Sequence, residues 1–388
     1  MDLLTNEYLN QVALFATLGF LSSLIITVSI IPFVHRIGVK YKILDIPNKR
    51  KTHKRSMVRL GGLSMIIAFL LGTLFIYRIT TLFSNIEINN NIVFVILIGA
   101  LAFFTLGIID DIKRLKPFTK LFFQIIIANF IYLVSPKINA IDLNWLSSNL
   151  DPLILSNFIT YFLTIFLIVA ITNSINWLDG IDGLASGITL IIGLGLIIMF
   201  INQKNITLAL ITSTLCGTNT GFLRYNFYPA KILMGDGGSY LLGGTLSVIS
   251  IVGLSYGYQI NYPENLVEIG SITVLPLQTI IFLFFVPIVD MMNVIISRLA
   301  SGYNPFYPDR KHIHHKMLDR GLPQRYTVII LYSIAQFGVM ISLYTGYVQG
   351  KIIILCISLI MITLSALYCL NMKRYLDMNY KKYYIDEK

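Results

Sequence analysis

Residues 153–187 read LILSNFITYFLTIFLIVAITNSINWLDGIDGLASG. No charged side chain occurs between 153 and 178. A bilayer crossing takes about 20 mostly apolar residues, so this stretch is long enough to span. Its polar chemistry gathers at one end, where Asn173, Asn176, Asp179 and Asp182 stand among Gly180 and Gly183. An apolar span ending in amides and carboxylates says where the chain lives and where its chemistry sits.

The rest of the chain repeats the theme. Of its 388 residues 55% are hydrophobic and 13% are charged, with a mean hydropathy of +0.73. Soluble domains carry about 25% charged residues, so too little polar side chain remains here to cover a water-facing surface. Eleven apolar runs qualify as spans, near 11–34, 62–82, 92–109, 118–135, 153–175, 184–202, 206–223, 239–257, 271–296, 327–346 and 351–371. The least apolar, 206–223, holds Thr212, Ser213, Thr214, Thr218 and Asn219, side chains that suit a helix facing protein or a polar cavity. The expectation is an all-α polytopic membrane helix bundle of ten or eleven transmembrane helices, forming one integral membrane domain over 1–388 with spans to 371 and a tail at 372–388.

Charge orients the bundle. The loops at 35–60, 110–120, 224–238, 297–326 and 372–388 hold 26 of the 30 Lys and Arg residues. Positive loops stay in the cytoplasm, which places the N-terminus outside, the C-terminus inside and the chain in the cytoplasmic membrane. The net charge of +11 is loop charge of this kind and does not call for nucleic acid. Asp2 and Glu7 stand where a secretory signal would be basic, and the first apolar run is long enough to span. Cys216, Cys356 and Cys369 form no CxxC pair and read as small buried hydrophobes.

Six carboxylates sit at span ends on the basic side: Asp110, Asp111, Asp179, Asp182, Asp236 and Asp290. Like charges at a low-dielectric boundary repel, so such a set needs a cation, a proton or a basic partner. Mg²⁺ suits it, because this hard ion takes one or two carboxylates together with waters and phosphates. A transporter or flippase of an anionic lipid or ion is the rival class; it would place carboxylates at mid-bilayer, and none is there. The set reads as metal-assisted phosphoryl chemistry at the inner membrane face, with structural pairing of helix-end acids to nearby Lys and Arg as the alternative.

The motifs differ in specificity. The pair Asp110-Asp111 in GIIDDIKRLKP is weak by itself. Asn173, Asn176 and Asp179 recur every three residues, which keeps them roughly on one side of a helix. In MGDGGSYLLGG, Asp236 opens a span inside a Gly-rich turn. Either the backbone N–H groups there meet an anion, or Ser239 caps the helix. The segment before the second span carries His53, Lys54 and Arg59, as phosphate neutralisers or as topology signals. The loop NPFYPDRKHIHHKML holds His312, His314 and His315 between Arg310, Lys311 and Lys316. Phosphate contact, a metal site and an ordinary surface loop all stay open for it.

Together, residues of about 45–318 resemble the polyprenyl-phosphate N-acetylhexosamine-1-phosphate transferase family, glycosyltransferase family 4. The resemblance is carried by Asp110-Asp111, the NxxNxxDGxDG run at 173–183, the GDxGS turn at 235–239 and the His loop. The HxHH form at 312–315 resembles the branch that transfers GlcNAc-1-phosphate to undecaprenyl phosphate. The peptidoglycan branch, phospho-MurNAc-pentapeptide transfer, usually shows three consecutive histidines, and Ile313 interrupts that run here. The resemblance implies a UDP-N-acetylhexosamine donor, an undecaprenyl phosphate acceptor in the membrane lipid, release of UMP, and a Mg²⁺ cofactor that Mn²⁺ can replace. It puts the metal on Asn176 and Asp236, and catalytic roles on Asp110, Asp111, Asp179 and Asp182. Substrate contacts fall to Arg59, Asn173, Arg310, His312, His314 and His315. Many relatives carry an aromatic three residues before the GD aspartate to stack on uracil; this chain has Leu233. The oligomeric state stays open, a homodimer being one option.

Overall fold

The computed structural model describes residues 2–46, 56–84, 86–135, 152–261, 275–306 and 309–345. His53, Lys54, Cys356, Cys369, the run at 351–371 and the tail at 372–388 lie outside the described residues. Twelve helices carry the described fold: α1 (Asp2–Lys40), α2 (Gly61–Phe83), α3 (Asn90–Lys113), α4 (Pro117–Val134), α5 (Pro152–Leu178), α6 (Leu184–Asn202), α7 (Ile206–Asn226), α8 (Gly235–Asn261), α9 (Leu275–Leu283), α10 (Phe285–Ala300), α11 (Ile313–Asp319) and α12 (Gln324–Thr345). Eight of them are long and apolar enough to cross a membrane. The protein is an all-α, multi-pass membrane bundle. Bulky apolar side chains such as Phe118, Phe122, Phe130, Phe158, Phe162 and Phe166 are exposed. A bilayer tolerates that where water would not, and helices satisfy their own backbone inside it.

At the centre stands α8, which packs against α2, α3, α5, α6 and α9. Helix α7 packs against α1, α2 and α6, and 89% of its apolar window is buried inside the protein. Its polar side chains are therefore not lipid-facing. Thr214 bonds Thr73 of α2 at 3.0 Å, and Asn219 donates to the Ser186 carbonyl and to the Thr189 hydroxyl of α6. The Ser213 hydroxyl donates to the Ala16 carbonyl of α1. Thr214 also bonds the Ile211 carbonyl and stays satisfied without Thr73. Replacing Thr73 with Val should therefore cost at most about 1 kcal/mol, read as a shift of a degree or two in the unfolding midpoint in detergent.

Two departures from the expected plan matter for the site. The run at 271–296 is not one uninterrupted helix. It breaks at Phe284, between α9 and α10, because Pro287 has no N–H to give the Leu283 carbonyl. The bundle also contains one short antiparallel ribbon, in which Leu44 (β1, Leu44–Asp45) faces Val58 (β2, Met57–Val58). The β2 strand and the residues after it are then held by the loop before α8: Leu233 N–H donates to the Val58 carbonyl, and Gly61 and Gly62 N–H donate to the Leu233 and Met234 carbonyls, all at 2.9 Å. This clamp carries Arg59 to the start of α8.

Candidate active site

The adjacent acids at the end of α3 have separate jobs. Asp110 is 2% exposed; its Oδ1 accepts the Leu115 N–H at 2.9 Å, and its Oδ2 pairs with the Lys120 ammonium. Lys120 stands in the first turn of α4, where Pro117 opens the helix. Asp111 instead faces α8. Its Oδ1 accepts the Asp236 N–H and its Oδ2 the Gly237 N–H, both at 2.9 Å. Arg59 Nε donates to the same Oδ1 at 2.9 Å. Asp111 is thus the anion at the positive end of α8. Of the two readings of the Gly-rich turn, the first holds, with Asp111 as the anion, and the second does not, because Ser239 lies inside α8. The free N–H groups of the first turn are filled by a carboxylate of the chain, while Ser239 bonds its own turn through the Asp236 carbonyl at 3.3 Å.

Close backbone approach makes this possible. Gly235 has φ +71°, a conformation that favours glycine. Gly107 of α3 and Gly62 of α2 lie directly against residues 236–238.

The amides of α5 split in the same way. Asn173 exchanges hydrogen bonds with Gln124 of α4. Asn176 donates to Asp236 Oδ1 at 2.9 Å and to the Ser239 hydroxyl at 2.8 Å. Arg59 Nη2 meets that same Asp236 oxygen at 2.9 Å. Burial opposes charge on Arg59, yet Asp236, Asp111, Asp45 and Asp179 outweigh it and hold the guanidinium charged. Burial, helped by Asp236, Asp111 and Asp182, pushes the Asp179 carboxyl up to about 7 against the pull of Arg59. Asp182 accepts the Ala230 N–H at 3.0 Å, tying the turn after α5 to the loop before α8.

Two cavities open beside this cluster. One, of about 320 Å³, is lined by Lys120, Asn173, Asn176, Trp177, Arg298 and the three histidines among others. The other, of about 330 Å³, is lined by Asp45, Arg59, Asp110, Arg114, Leu115, Lys120 and Asp236. Lys120 borders both. In the first cavity the His loop is not a cationic patch. Burial, then His315, lowers the pKa of His314 to about 3, and burial, then Arg310, lowers that of His315 to about 4. Both rings are neutral at pH 7, and neither ring nitrogen of His314 has a protein partner. Arg310 pairs with Asp319 at 2.8 Å at the exposed rim and is not among the lining side chains.

Of the residues singled out from sequence, Arg59, Asp110, Asp111, Asn176 and Asp236 meet in one cluster, and Asp179 is near enough to feel the charges of Arg59, Asp236 and Asp111. Asn173, His312, His314 and His315 line the adjoining cavity. Asp182 serves a turn. Sequence reading missed Lys120, Trp177 and Arg298. Lys120 had a signal, a lone cation one turn into an apolar run. Arg298 bonds both oxygens of Asp309, at 3.0 and 2.9 Å, and lies over the Trp177 ring at 5.1 Å. No sequence spacing announces that stack.

Among the described residues, no three of the His, Cys, Asp and Glu side chains form a preformed metal cage. Mg²⁺ does not require one, since it takes one or two carboxylates with waters and substrate phosphates. The cluster sets the carboxyls of Asp110, Asp111, Asp179 and Asp236 against the cations of Arg59 and Lys120. That excess of acid suits a divalent ion, and Asp236 with Asn176 supplies the hard oxygen donors.

Residues 93–254 match the family described as Glycosyl transferase family 4. A "Probable undecaprenyl-phosphate N-acetylglucosaminyl 1-phosphate transferase" of Bacillus subtilis is 33% identical over 319 residues, 81% of this chain and 81% of that protein. The chain belongs to glycosyl transferase family 4. A decaprenyl-phosphate N-acetylglucosaminephosphotransferase of Mycolicibacterium smegmatis is 28% identical over 89% of this chain and 87% of its own length. A phospho-N-acetylmuramoyl-pentapeptide-transferase of Caldicellulosiruptor bescii is 31% identical over 61% of this chain and 72% of its own length. The family match spans α3 to α8 and so contains Asp110, Asp111, Asn176 and Asp236.

Proposed function

We propose that this protein transfers GlcNAc-1-phosphate from UDP-GlcNAc to undecaprenyl phosphate at the cytoplasmic face of the cell membrane, releasing UMP and starting a surface polysaccharide. The observation that carries the reading is the 2.9 Å bond between Asn176 and Asp236, which joins two distant helix ends between two polar cavities. The Bacillus subtilis and Mycolicibacterium smegmatis relatives carry undecaprenyl phosphate and decaprenyl phosphate in their names, and His312-Ile313-His314-His315 fits that branch better than the peptidoglycan one.

In the reaction, an oxygen of the acceptor phosphate bonds to the sugar-bearing phosphorus, and the bridging oxygen leaves with UMP. Both substrates are anionic and repel each other. Arg59 and Lys120 lower that repulsion, and Lys120 borders both cavities, where the two phosphates would meet. A phosphate monoester has a second pKa of about 6, so the acceptor is largely dianionic at pH 7 and needs placement more than a base. Asp110, paired with Lys120, orients that cation. Asp111, holding two N–H groups and Arg59, positions the start of α8. The neutral His314 and His315 offer hydrogen bonds to the sugar diphosphate. Asp236 and Asn176 would hold Mg²⁺, which supplies electrostatic stabilisation of the leaving group when bound, and Mn²⁺ would substitute.

Membranes carrying the protein should release UMP from UDP-GlcNAc only when undecaprenyl phosphate and Mg²⁺ are both present. EDTA should abolish the release and added Mg²⁺ restore it. Movement of the lipid across the bilayer without UMP release would favour the transporter class instead, and a UDP-MurNAc-pentapeptide preference would favour the peptidoglycan branch.

A further inference from the structure

Asp290 lies on α10 three residues beyond the proline that bends it, 2% exposed, and the mechanism above does not use it. Its two oxygens are both committed to the His loop. Oδ2 is 2.8 Å from His312 Nδ1, and Oδ1 accepts the Ile313 N–H at 2.7 Å. A carboxylate only accepts hydrogen bonds, so the facing ring nitrogen must carry the proton. That assigns the hydrogen to Nδ1 and leaves Nε2 as the nitrogen available to a ligand. The ring plane is set from two further sides. Trp177 meets it edge-on at 6.0 Å between centroids, and His314 stacks on it at 5.5 Å. His312 is 8% exposed and lines the cavity beside Asn176.

We infer that Asp290 is a positioning residue of the site: it fixes the orientation and tautomer of His312 so that the Nε2 lone pair accepts a hydrogen bond from a hydroxyl of the sugar diphosphate. The inference rests on the transferase reading for the identity of that ligand, and on geometry for the pairing itself. A carboxylate that orients a working imidazole is a general device, and loss of such a partner typically costs about 10–100-fold in function.

Amide substitutions separate this role from plain loop anchoring. In His312→Asn the amide nitrogen takes the place of Nδ1 and keeps the bond to Asp290, but nothing stands at Nε2. In His312→Gln the amide reaches the place of Nε2, and its oxygen can accept there as the Nε2 lone pair does. Asp290→Asn keeps an oxygen for Ile313 N–H and turns a donor toward the ring, which reverses the tautomer. The expected result is a kcat/KM about 10–100-fold lower for Asp290→Asn, more activity in His312→Gln than in His312→Asn, and no further loss when Asp290→Asn is added to His312→Asn. Loop anchoring predicts the opposite order for the two His312 variants and an added loss in the double variant; either result overturns the inference. A second readout needs no turnover. The chain has five histidines, so ¹⁵N-imidazole spectra with His312→Asn as the assignment control should show Nδ1–H at His312 in the wild type and Nε2–H in Asp290→Asn. Nε2–H in the wild type also overturns the inference. A wild type that releases no UMP overturns the transferase reading alone, and the ring resonances then still decide the pairing.

Discussion

Asp236→Asn should lower UMP release by about 10³-fold while leaving the protein folded and inserted. The substitution is nearly isosteric, and an Asn oxygen can still accept from Asn176 or Arg59, the two donors that reach Asp236 Oδ1 at 2.9 Å. The backbone N–H of residue 236 still meets Asp111. What disappears is one negative charge at the point proposed to hold the divalent ion. Metal stabilisation of developing charge is worth several kcal/mol, and at 1.36 kcal/mol per decade that is about a thousandfold in rate. The measurement is UMP release over a Mg²⁺ titration, with gel-filtration behaviour in detergent as the folding control. Turnover within tenfold of wild type at ordinary Mg²⁺ would remove Asp236 from the metal site and leave the cluster to be read as helix-end pairing.

Gly107→Ala should cost about 10²-fold in turnover without removing any chemical group. A Cβ at position 107 would stand 2.3 Å from the Asp236 carbonyl oxygen and 2.6 Å from Gly237 Cα. Both are backbone atoms, so no rotamer change relieves the overlap and α3 and α8 must separate. The atoms displaced are those that Asp111 holds by two N–H bonds at 2.9 Å and that carry Asp236 toward Asn176. Misplacement of reacting groups by about 1 Å costs about 10²-fold. Gly99→Ala is the control on the same helix. There the added Cβ meets the end of the Ile131 side chain at 3.1 Å, a flexible contact that can yield, and activity should stay near wild type. Equal activity in the two variants would mean that the helices do not touch at Gly107.

The way Asp110 and Asp111 divide their work shows what could and could not be read from the chain. Two adjacent acids at a span end announce a charged membrane edge, and the surrounding motifs announce that the edge has a purpose. Nothing in the letters says that one acid pairs with Lys120 across a short turn while its neighbour caps a helix 125 residues further on. That division follows from the 100° step between successive helical residues, which turns the two side chains toward different neighbours. The same holds for the histidines. Their flanking Lys and Arg suggest a cationic loop, yet burial keeps His314 and His315 neutral, because a low-dielectric setting penalises the charged ring.

The amino-acid sequence by itself determined that this is a polytopic helical membrane protein, since long uncharged runs have only one stable solution in a bilayer, where every backbone group must bond within its own segment. It also determined the inventory at the membrane edge, in Asp110, Asp111, Asn176, Asp236 and the His loop, because polar groups that interrupt apolar runs need a partner to be retained there. Only the tertiary structure decided which of them meet. The clamp of residues 58–62 onto Leu233 and Met234, the glycine contact of α3 with α8 and the bend before Asp290 bring together groups far apart in the chain. Hydrogen bonds of about 3 Å depend on such packing, and no spacing along one helix encodes it.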